Sequence, residues 1–448
     1  MKSSYTAKRL PKHAGRAAWN AILGESPALP QLDGNSTADV VIAGAGFAGL
    51  SAARRLVQLD PRRRVLVLEA GRIGEAAAGR NSGFMIDLPH NLTSEDYAGD
   101  SAAQDRSQTA LNRQAIAFAR AAVEDYGIDA NYFDPAGKTN GAACEASHDQ
   151  NLSYAAHLAT LGEPCEMLDA QGMAELTGSR YYRSGLFTPG TVMLQPAGYV
   201  RGLAAGLTRS VQICEESPVT AFHREGDGWR VSTPGGAVSA GKLILANNGH
   251  LESFGFARNR LMHVFLFASM TEELGPDALR RLGGTPRWGI TPADPMGTTM
   301  RRIDNGQGGN RIVTRTCAEF RPGMETTEGQ MRRATRIMRQ KFDARFPQLS
   351  DVKMEHVWSG HLCLSRNNVS VTGEIERNVF AACCQNGLGT ARGTLTGICA
   401  AETASGVTSE ITDFFAAEGA PSRLPPPPLS TIGAKVALRW KEWQARRE

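Results

Sequence analysis

The segment 39–69 constrains the fold of this chain more than any other part of the sequence. Asp39–Ala43 is a short apolar strand, Leu50–Gln58 repeats apolar residues at helical spacing, and Val65–Glu69 is a second apolar strand. Between the first strand and the helix, Gly44–Gly49 reads GAGFAG, the pattern G-x-G-x-x-G. A strand, a helix and a strand of these lengths predict a β-α-β unit, and therefore parallel strands in a Rossmann-like domain.

The context of this glycine pattern makes it informative, because the pattern alone is weak. Glycine supplies 48 of the 448 residues, which is about 11% against a usual ~7%, so such a match arises readily by chance. Here the pattern follows a strand, opens a helix and precedes an acidic residue, Glu69, which ends the second strand 20 positions after Gly49. That combination is typical of a dinucleotide-binding unit.

Each residue of the pattern has a predicted role at a bound dinucleotide. Gly44 allows a tight turn, Gly46 lets the main chain approach a pyrophosphate, and Gly49 lets the helix pack closely on the strand. The first helical residues, Phe47–Ala48, offer free N–H groups to the phosphates. Glu69 can accept hydrogen bonds from a ribose diol and would repel a 2′-phosphate. The pattern therefore predicts FAD or NAD and disfavours NADP.

The stretch after the second strand favours one of these two cofactors. Residues 70–83 read AGRIGEAAAGRNSG, a run of small residues that ends in Gly-Arg-Asn-x-Gly. A backbone of this kind can lie along the pyrophosphate, the ribityl chain and the ring of a flavin, so FAD is the predicted cofactor. The candidate cofactor-binding residues of this stretch are Ala70, Arg72, Ala78, Gly79, Arg80, Asn81, Ser82 and Gly83.

With these residues the sequence resembles the D-amino-acid-oxidase/glycine-oxidase superfamily of FAD enzymes. Its nearest likeness there is to the γ-glutamylputrescine oxidoreductase-like branch. The resemblance spans residues 35–405, and four further segments carry it: Glu216–Val219, Leu243–Gly249, Trp358–Gly360 and Asn386–Thr390.

The resemblance implies further cofactor contacts. Val219 would hold the adenine, and Ala246 and Asn247 would lie under the cofactor. A closing loop would direct a helix N-terminus at the flavin and stabilise the negative charge of the reduced ring. The residues of that loop are Gly387, Leu388, Gly389 and Thr390.

The resemblance also implies an activity, the oxidation of a C–N bond. An amine or amino acid would lose hydride to flavin N5, and the imine would then hydrolyse, with O2 or an electron carrier as the final acceptor. After Trp358–Gly360 the family usually has Thr-x-Asp/Asn-x-x-Pro, whereas this chain has Leu364–Val369 without proline. The substrate therefore stays open among an amine or polyamine conjugate, an N-methyl amino acid, and a D-amino acid or opine.

Four residues are candidates for the chemistry. Arg302, rather than its neighbour Arg301, is predicted to bind a substrate carboxylate, because only one of two adjacent strand residues points inward and a guanidinium binds carboxylates bidentately. His263 and His361 could set the protonation of the amine or line the site. Arg80 could stabilise the anionic reduced flavin.

The cysteines argue against a metal or dithiol site. The chain has eight, with no CxxC pair, and Cys383 and Cys384 are adjacent; zinc ribbons and dithiol redox motifs need other spacings. No metal site is predicted. Non-covalent FAD is expected, with a covalent link at Cys363 as the alternative, because sarcosine-oxidase relatives join a cysteine in this region to the flavin. A reduced, cytoplasmic protein is expected, since no signal peptide or spanning segment is recognisable.

Two other functions compete with amine oxidation. One is a flavin monooxygenase that uses NAD(P)H, although the glycine–aspartate segment of that class is missing and Cys383–Gly387 stands in its place. The other is a non-catalytic flavoprotein subunit of an electron-transfer complex. The net charge of +4 is too small to indicate nucleic-acid binding, and the oligomeric state is not predicted.

The predicted fold is α/β with two domains, a Rossmann-like FAD-binding domain and a substrate domain whose mixed antiparallel sheet roofs the flavin. The basic C-terminal tail contains Trp440 and Trp443 and could contact an anionic membrane. The predicted division is an N-terminal arm 1–35, a discontinuous FAD-binding domain 36–90, 196–254 and 356–410, a substrate domain 91–195 and 255–355, and a Pro-rich linker with a basic helix 411–448.

Overall fold

Two large β-sheets organise the computed structural model, which describes residues 4–89, 101–426 and 428–448. The predicted boundary between the first FAD-binding segment and the first substrate segment, at residues 90 and 91, lies outside the described residues. In chain order the strands are β1 (Ser4–Thr6), β2 (Gly34–Ala43), β3 (Val65–Leu68), β4 (Phe84–Met85), β5 (Phe133–Asp134), β6 (Lys138–Ala142), β7 (Glu166–Leu168), β8 (Ser184–Thr188), β9 (Val192–Leu194), β10 (Gln212–Cys214), β11 (Ala221–Glu225), β12 (Gly228–Thr233), β13 (Gly236–Leu245), β14 (Leu261–Thr271), β15 (Trp288–Pro292), β16 (Thr299–Ile303), β17 (Arg311–Phe320), β18 (Met354–Ser365), β19 (Val371–Glu376) and β20 (Val379–Cys383).

The helices cover the faces of these sheets. In chain order they are α1 (Ala18–Ala21), α2 (Phe47–Leu59), α3 (Ala102–Tyr126), α4 (Glu145–Leu161), α5 (Ala170–Thr177), α6 (Pro196–Leu207), α7 (Pro276–Leu282), α8 (Glu328–Arg345), α9 (Ala391–Ala404), α10 (Glu410–Glu418) and α11 (Leu429–Gln444). Among the described residues, no helix combines the length and the apolar character that crossing a membrane requires.

The first sheet contains the predicted β-α-β unit. Strands β2 and β3 are parallel, with Val40 opposite Val65, and β13 and β20 extend the parallel part on the other side of β2. Strand β2 begins at Gly34, five residues before the predicted start, because its first half pairs with Gly236–Ala240 of β13. Two helices, α2 and α9, pack against each other on one face of this sheet and bury its apolar residues. The predicted fold class is confirmed.

The second sheet has the strand order β18-β14-β17-β16-β15-β6-β8-β7. It is mixed, because β15 and β6 run parallel while the other pairs are antiparallel. Helix α8 packs Met338 against Phe267 on one face of this sheet. Strand β18 pairs with β14 along its whole length, although the division drawn from the sequence assigns 356–410 to the FAD-binding domain.

The N-terminal arm contacts both large sheets. Its strand β1 pairs with β11 at the edge of the first sheet. The ring of Trp19 is fully buried against Met270, Val313 and Trp358, all from the second sheet. The arm is therefore built into both sheets. Burial of an indole of this size contributes about 2–3 kcal/mol to stability.

Two helices and a strand occupy the segment between Glu145 and Thr177. Helix α4 stops at Gly162, whose φ of 77° is a left-handed conformation that ends a helix. Strand β7 follows, and α5 starts only after Asp169, whose side chain accepts a hydrogen bond from the Gly172 N–H.

Candidate functional site

A cavity opens where the parallel strands of the first sheet end at their carboxyl termini. Its outline encloses about 1440 Å³, a volume that includes space open to solvent. Crevices at this edge of an open α/β sheet are the usual ligand sites of such folds. The cavity extends from Glu69 and Val219 at one end to His361 and Cys363 at the other.

Two of the three glycines of the G-x-G-x-x-G pattern occupy positions with no room for a side chain, and the third faces the cavity. Gly44 has φ 109°, and a Cβ there would lie 2.7 Å from the Ala246 carbonyl oxygen. A Cβ at Gly49 would lie 1.8 Å from the Gly44 oxygen, so this glycine sets how closely α2 approaches the strand. Gly46 differs: a Cβ there would meet only the Ala78 Cβ, at 3.6 Å, and would otherwise project into the cavity.

The Glu69 carboxylate holds the main chain of the glycine loop by hydrogen bonds. Its Oε2 accepts a hydrogen bond from the Ala45 N–H at 2.7 Å, and its Oε1 accepts one from the Gly71 N–H at 3.2 Å. Burial raises the pKa of this carboxyl, and the N–H groups that bind it oppose the rise. An acceptor is therefore held at one end of the cavity, beside Ala70 and Arg72.

Two helix N-termini face the same cavity. Helix α2 begins after Gly46 and α9 begins after Thr390, and no side chain caps either of them. The helices lie unusually close, because a Cβ at Gly397 would be 2.1 Å from the Ala48 oxygen. A Cβ at Gly389 would meet nothing, so the cavity reaches the second N-terminus. Uncapped N–H groups and two positive dipole ends suit a ligand with negative charges.

The loop 79–83 is held tightly beside the cavity, but Arg80 does not point into it. The guanidinium of Arg80 donates to the carbonyl oxygens of Ala14, Gly15, Glu75 and Ser359, at 2.5–3.1 Å. Burial lowers the pKa of Arg80 to about 10. With its donors used by main-chain oxygens, Arg80 joins the arm to β18 and is not placed to stabilise a reduced flavin.

Two tryptophan side chains bind the main chain of this loop. The Trp358 indole donates to the Arg80 oxygen at 3.0 Å, and the Trp19 indole donates to the Asn81 oxygen at 2.8 Å. Gly83 has φ 78°, and a Cβ there would be 2.1 Å from Nη1 of Arg301. In this loop, only Asn81 contributes to the cavity wall.

The adjacent arginines of β16 point in opposite directions, and Arg302 points away from the cavity. Its Nη1 donates to the oxygens of Gly283 and Thr285, at 2.6 and 2.8 Å. Arg301 points toward the 79–83 loop and donates to the oxygens of Ser82, at 3.0 Å, and of Leu194. The alternation of the strand is as predicted, but the inward residue is Arg301 and not Arg302. Nη1 of Arg301 already holds main-chain oxygens, and its Nη2 donates to Oε1 of Gln307 at 2.8 Å.

A chain of three ionisable side chains reaches the other end of the cavity. Glu252 Oε2 lies 2.7 Å from Nε2 of His263, and Nδ1 of His263 lies 3.2 Å from Nε2 of His361. His361 forms part of the cavity wall, and its ring stacks on Phe265 with 5.0 Å between centroids. The side chain of His263 is 3% exposed and that of Glu252 is 23% exposed, so the chain leads from the cavity toward solvent.

Burial controls the charge of this cluster. Removal from water lowers the pKa of His361 well below 6.5, and the neighbouring histidines lower it further. The same causes lower the pKa of His250, which also lines the cavity, to about 4. Burial pushes the pKa of Glu252 up, but hydrogen bonds from His263 and from the Asn259 N–H keep it below its usual value. The cavity therefore has an uncharged imidazole in its wall and a carboxylate behind it.

Cys363 is a buried thiol of the same cavity wall. A hydrogen bond with Cys384 and burial raise the pKa of Cys363 well above 9, and all eight cysteines are free. Its thiolate, the form that bonds to electrophiles, is disfavoured. The described residues contain no cluster of metal-ligating side chains.

The structure brings together most of the predicted cofactor-binding residues. Those that line the cavity are Gly44, Gly46, Phe47, Ala48, Glu69, Ala70, Arg72, Ala78, Asn81, Val219, Ala246, Asn247, Gly387 and Gly389, with His361 from the catalytic candidates. Those that support the wall or lie elsewhere are Gly49, Gly79, Arg80, Ser82, Gly83, Leu388, Thr390, His263 and Arg302.

Sequence reasoning missed several residues of the cavity. His250 lies in a short 3₁₀ turn, Asn248–Phe254, and Arg9 and His13 belong to the N-terminal arm. Glu252, in the same turn, lies behind the wall and contacts His361 through His263. No motif marks them, because their proximity to His361 depends on how the arm and the turn pack on β18.

The family of this chain follows from comparison with known proteins. The family described as FAD dependent oxidoreductase (DAO) matches residues 39–403. The chain belongs to this family, as the resemblance in the sequence predicted, and FAD is therefore its cofactor.

Individual relatives are distant but cover most of the chain. The probable oxidoreductase OrdL of Haemophilus influenzae is 28% identical over 403 residues, 87% of each chain. The γ-glutamylputrescine oxidoreductase of Escherichia coli is 25% identical over 366 residues, 78% of this chain and 79% of the relative. Among solved structures, glycine oxidase from Geobacillus kaustophilus superposes with a TM-score of 0.68 at 18% identity, over 84% of this chain and 96% of that one. L-Amino acid deaminase from Proteus myxofaciens gives a TM-score of 0.65 at 15% identity, over 91% and 98%.

Proposed function

We propose that this chain oxidises the C–N bond of a small amine or amino acid, with FAD bound non-covalently in the cavity. One observation carries the proposal: a single cavity combines a dinucleotide-binding loop, Gly44–Ala48 with Glu69, and an uncharged imidazole, His361, backed by a carboxylate. The names of the relatives support it, because a γ-glutamylputrescine oxidoreductase, a glycine oxidase and an L-amino acid deaminase are each named for an amine or amino acid.

The residues of the cavity fit FAD. The space in front of Gly46 would take the pyrophosphate, held by the N-terminus of α2, and Glu69 would bind the ribose next to it. Val219 would contact the adenine, and Ala246 and Asn247 would lie beneath the cofactor. The flavin end would lie between Ala78, Asn81 and the loop Gly387–Thr390, where the dipole of α9 favours added negative charge.

Bound FAD supplies a two-electron acceptor for the hydride that leaves the carbon of the C–N bond. The chain's own task is to hold the amine uncharged, because an ammonium group has no lone pair to assist loss of hydride. When the His263 ring carries its one proton on Nε2, facing Glu252, Nδ1 of His263 accepts a hydrogen bond from the Nε2–H group of His361. Nδ1 of His361 is then unprotonated and can take a proton from the substrate ammonium.

The proton can leave the cavity along His361, His263 and Glu252, the three side chains that we call the relay. When His361 accepts a proton at Nδ1, it can pass its Nε2 proton to His263, which in turn passes its own Nε2 proton to Glu252. The Glu252 side chain is more exposed than that of His263, 23% against 3%, so Glu252 can return the proton to solvent. The imine that remains after oxidation hydrolyses to a carbonyl compound and an amine or ammonia.

A substrate panel tests the proposed reaction. FAD-loaded protein is mixed under anaerobic conditions with γ-glutamylated diamines, free diamines, N-methyl amino acids, D-amino acids and opines, and the flavin absorbance is followed. We expect one class to bleach the flavin and to yield the matching carbonyl product. Bleaching by NAD(P)H and by no amine would overturn the proposal in favour of the monooxygenase alternative.

Variants of the relay test how the amine is kept uncharged. His361→Gln should move the acid limb of the pH profile of kcat/KM to higher pH, since the amine must then lose its proton to solvent. Glu252→Gln should shift the same limb in the same direction with little change in FAD content, as expected of a positioning residue. His223→Gln, on the exposed face of β11, is the matched control. A His361→Gln profile that coincides with that of the unmodified protein would contradict the assigned role.

A further inference from the structure

Helix α11 has two apolar faces, and only one of them is covered. On its inner face, Ala434 and Leu438 pack against Val264, Ala318 and Phe320 of the second sheet. Its outer face carries five large apolar side chains that are 55–68% exposed: Leu429, Ile432, Val436, Trp440 and Trp443. Elsewhere in the described chain, only Leu10 and Leu152 are large apolar side chains with comparable exposure.

The five exposed residues form one continuous stripe, which we call the outer stripe. Successive members are separated by three, four, four and three positions, a spacing that keeps them on one side of a helix. At a rise of 1.5 Å per residue the stripe is about 20 Å long. Trp440 and Trp443 stack at 5.2 Å between ring centroids, and the Arg446 guanidinium lies 4.3 Å from the Trp443 ring.

The surroundings of the outer stripe are cationic. Lys435, Arg446 and Arg447 are exposed and form no ion pair within the described parts of the chain. Lys441 is also exposed, but its charge acts on the Asp294 carboxyl. The acidic residue of this helix, Glu442, is already bound by Arg333 at 2.6 Å and by Arg439 at 2.7 Å. The stripe is thus bordered by three positive charges, those of Lys435, Arg446 and Arg447, for which the described residues offer no ion-pair partner.

The helix is anchored so that the stripe stays outward. Beyond α11, the Tyr181 hydroxyl donates to the Arg447 oxygen at 2.9 Å, and Lys341 Nζ donates to the Glu448 oxygen at 2.6 Å. Glu448 is buried and its Oε1 accepts a hydrogen bond from the Ala143 N–H. With its inner face packed and its end held, α11 cannot bury the stripe by turning over.

We propose that the outer stripe binds the surface of an anionic lipid bilayer, with α11 lying in the plane of the headgroups. Apolar and indole side chains bordered by cations are the composition that this interface favours, since the rings enter the headgroup region while lysine and arginine attract anionic lipids. A second copy of the chain is a poorer occupant, because pairing two stripes would bring six like charges together. The proposal goes beyond the C–N oxidation proposed above and does not depend on it.

Vesicle co-sedimentation of the full-length, FAD-loaded protein tests the proposal. We expect binding to vesicles of equal parts phosphatidylserine and phosphatidylcholine, and weak binding to phosphatidylcholine alone. Raising the salt to about 1 M, where the screening length falls to about 3 Å, should weaken the binding. Absence of binding to the mixed vesicles at low salt would overturn the proposal.

Variants separate the two parts of the surface. Trp440→Ser with Trp443→Ser should lower the partition coefficient at least tenfold. Leu152→Ser, which changes a leucine of α4 that is 47% exposed, should leave it unchanged. Lys435→Gln and Arg447→Gln should each lower it by about fivefold on anionic vesicles. If light scattering instead shows a dimer that the tryptophan changes dissociate, the stripe is an interface between copies and the lipid proposal is wrong.

Discussion

Replacing Gly46 with valine should remove FAD while leaving the fold intact. The main chain at Gly46 is extended, with φ −88° and ψ −166°, a conformation open to any residue. The added Cβ would touch only the Ala78 Cβ, at 3.6 Å, and would project into the space where the pyrophosphate is expected. The protein should therefore lose its ligand without losing its packing.

The expected loss of affinity can be worked from the contacts at risk. A phosphate excluded from the N-terminus of α2 forfeits at least two charge-assisted hydrogen bonds, each worth roughly 1.5–3 kcal/mol. The total of about 3–6 kcal/mol corresponds to a ~10²- to 10⁴-fold rise in the Kd of FAD. The free energy of unfolding of the apoprotein should change by less than about 1 kcal/mol, since no packed atom is displaced.

Two other glycines serve as controls in this experiment. Gly275→Val changes a second N-cap glycine that is extended and has nothing within 4 Å, so FAD binding should be retained. Gly49→Ala places a Cβ 1.8 Å from the Gly44 oxygen, so it should destabilise the apoprotein by about 1–3 kcal/mol or more. FAD titration and thermal unfolding of the apoproteins measure both effects. Gly46→Val protein that is purified with one FAD per chain would refute the placement of the pyrophosphate.

Three further predictions follow from the same geometry. Burial lowers the pKa of His361, so His361 is uncharged in the folded protein and takes up a proton on unfolding below pH 6.5. Its contribution to the free energy of unfolding is therefore complete above pH 6.5 and falls as the pH drops toward the lowered pKa. His361→Gln should therefore flatten the fall of the unfolding free energy below pH 6.5, by up to ~1.4 kcal/mol per pH unit, in urea titrations. Arg302→Ala should leave KM unchanged in steady-state assays, and a raised KM would show that Arg302 does bind the substrate carboxylate. Arg301→Ala removes hydrogen-bond donors from the oxygens of Ser82 and Leu194, so it should lower the melting temperature. Acid precipitation should release all the FAD, because the thiol of Cys363 is held protonated; colour that stays with the pellet would indicate a covalent link.

The parts of the fold that the sequence predicted are those that local geometry determines. The strand-helix-strand unit, the three glycines and Glu69 are close in the chain, so their spacing alone places the carboxylate below the loop. The first strand was predicted five residues too short, because pairing with β13 extends β2 upstream. Such pairing partners are distant in sequence and leave no local signal.

The rest of the site depends on contacts between distant segments. The orientation of Arg301 and Arg302 turns on a register of one residue, set by pairing of β16 with β15 and β17. The relay joins Glu252, His263 and His361 from three segments, and only packing of β14 between its neighbours brings them within hydrogen-bond distance. Likewise, nothing in the sequence around Arg80 indicates that four main-chain oxygens will occupy its guanidinium.

The most direct test of the proposed chemistry is an anaerobic titration of FAD-loaded protein with the best amine of the substrate panel. We predict that the flavin is fully bleached at one amine per FAD and that one equivalent of carbonyl product forms, with no requirement for NAD(P)H. Bleaching without carbonyl product, or reduction only by NAD(P)H, would contradict oxidation of a C–N bond in this cavity.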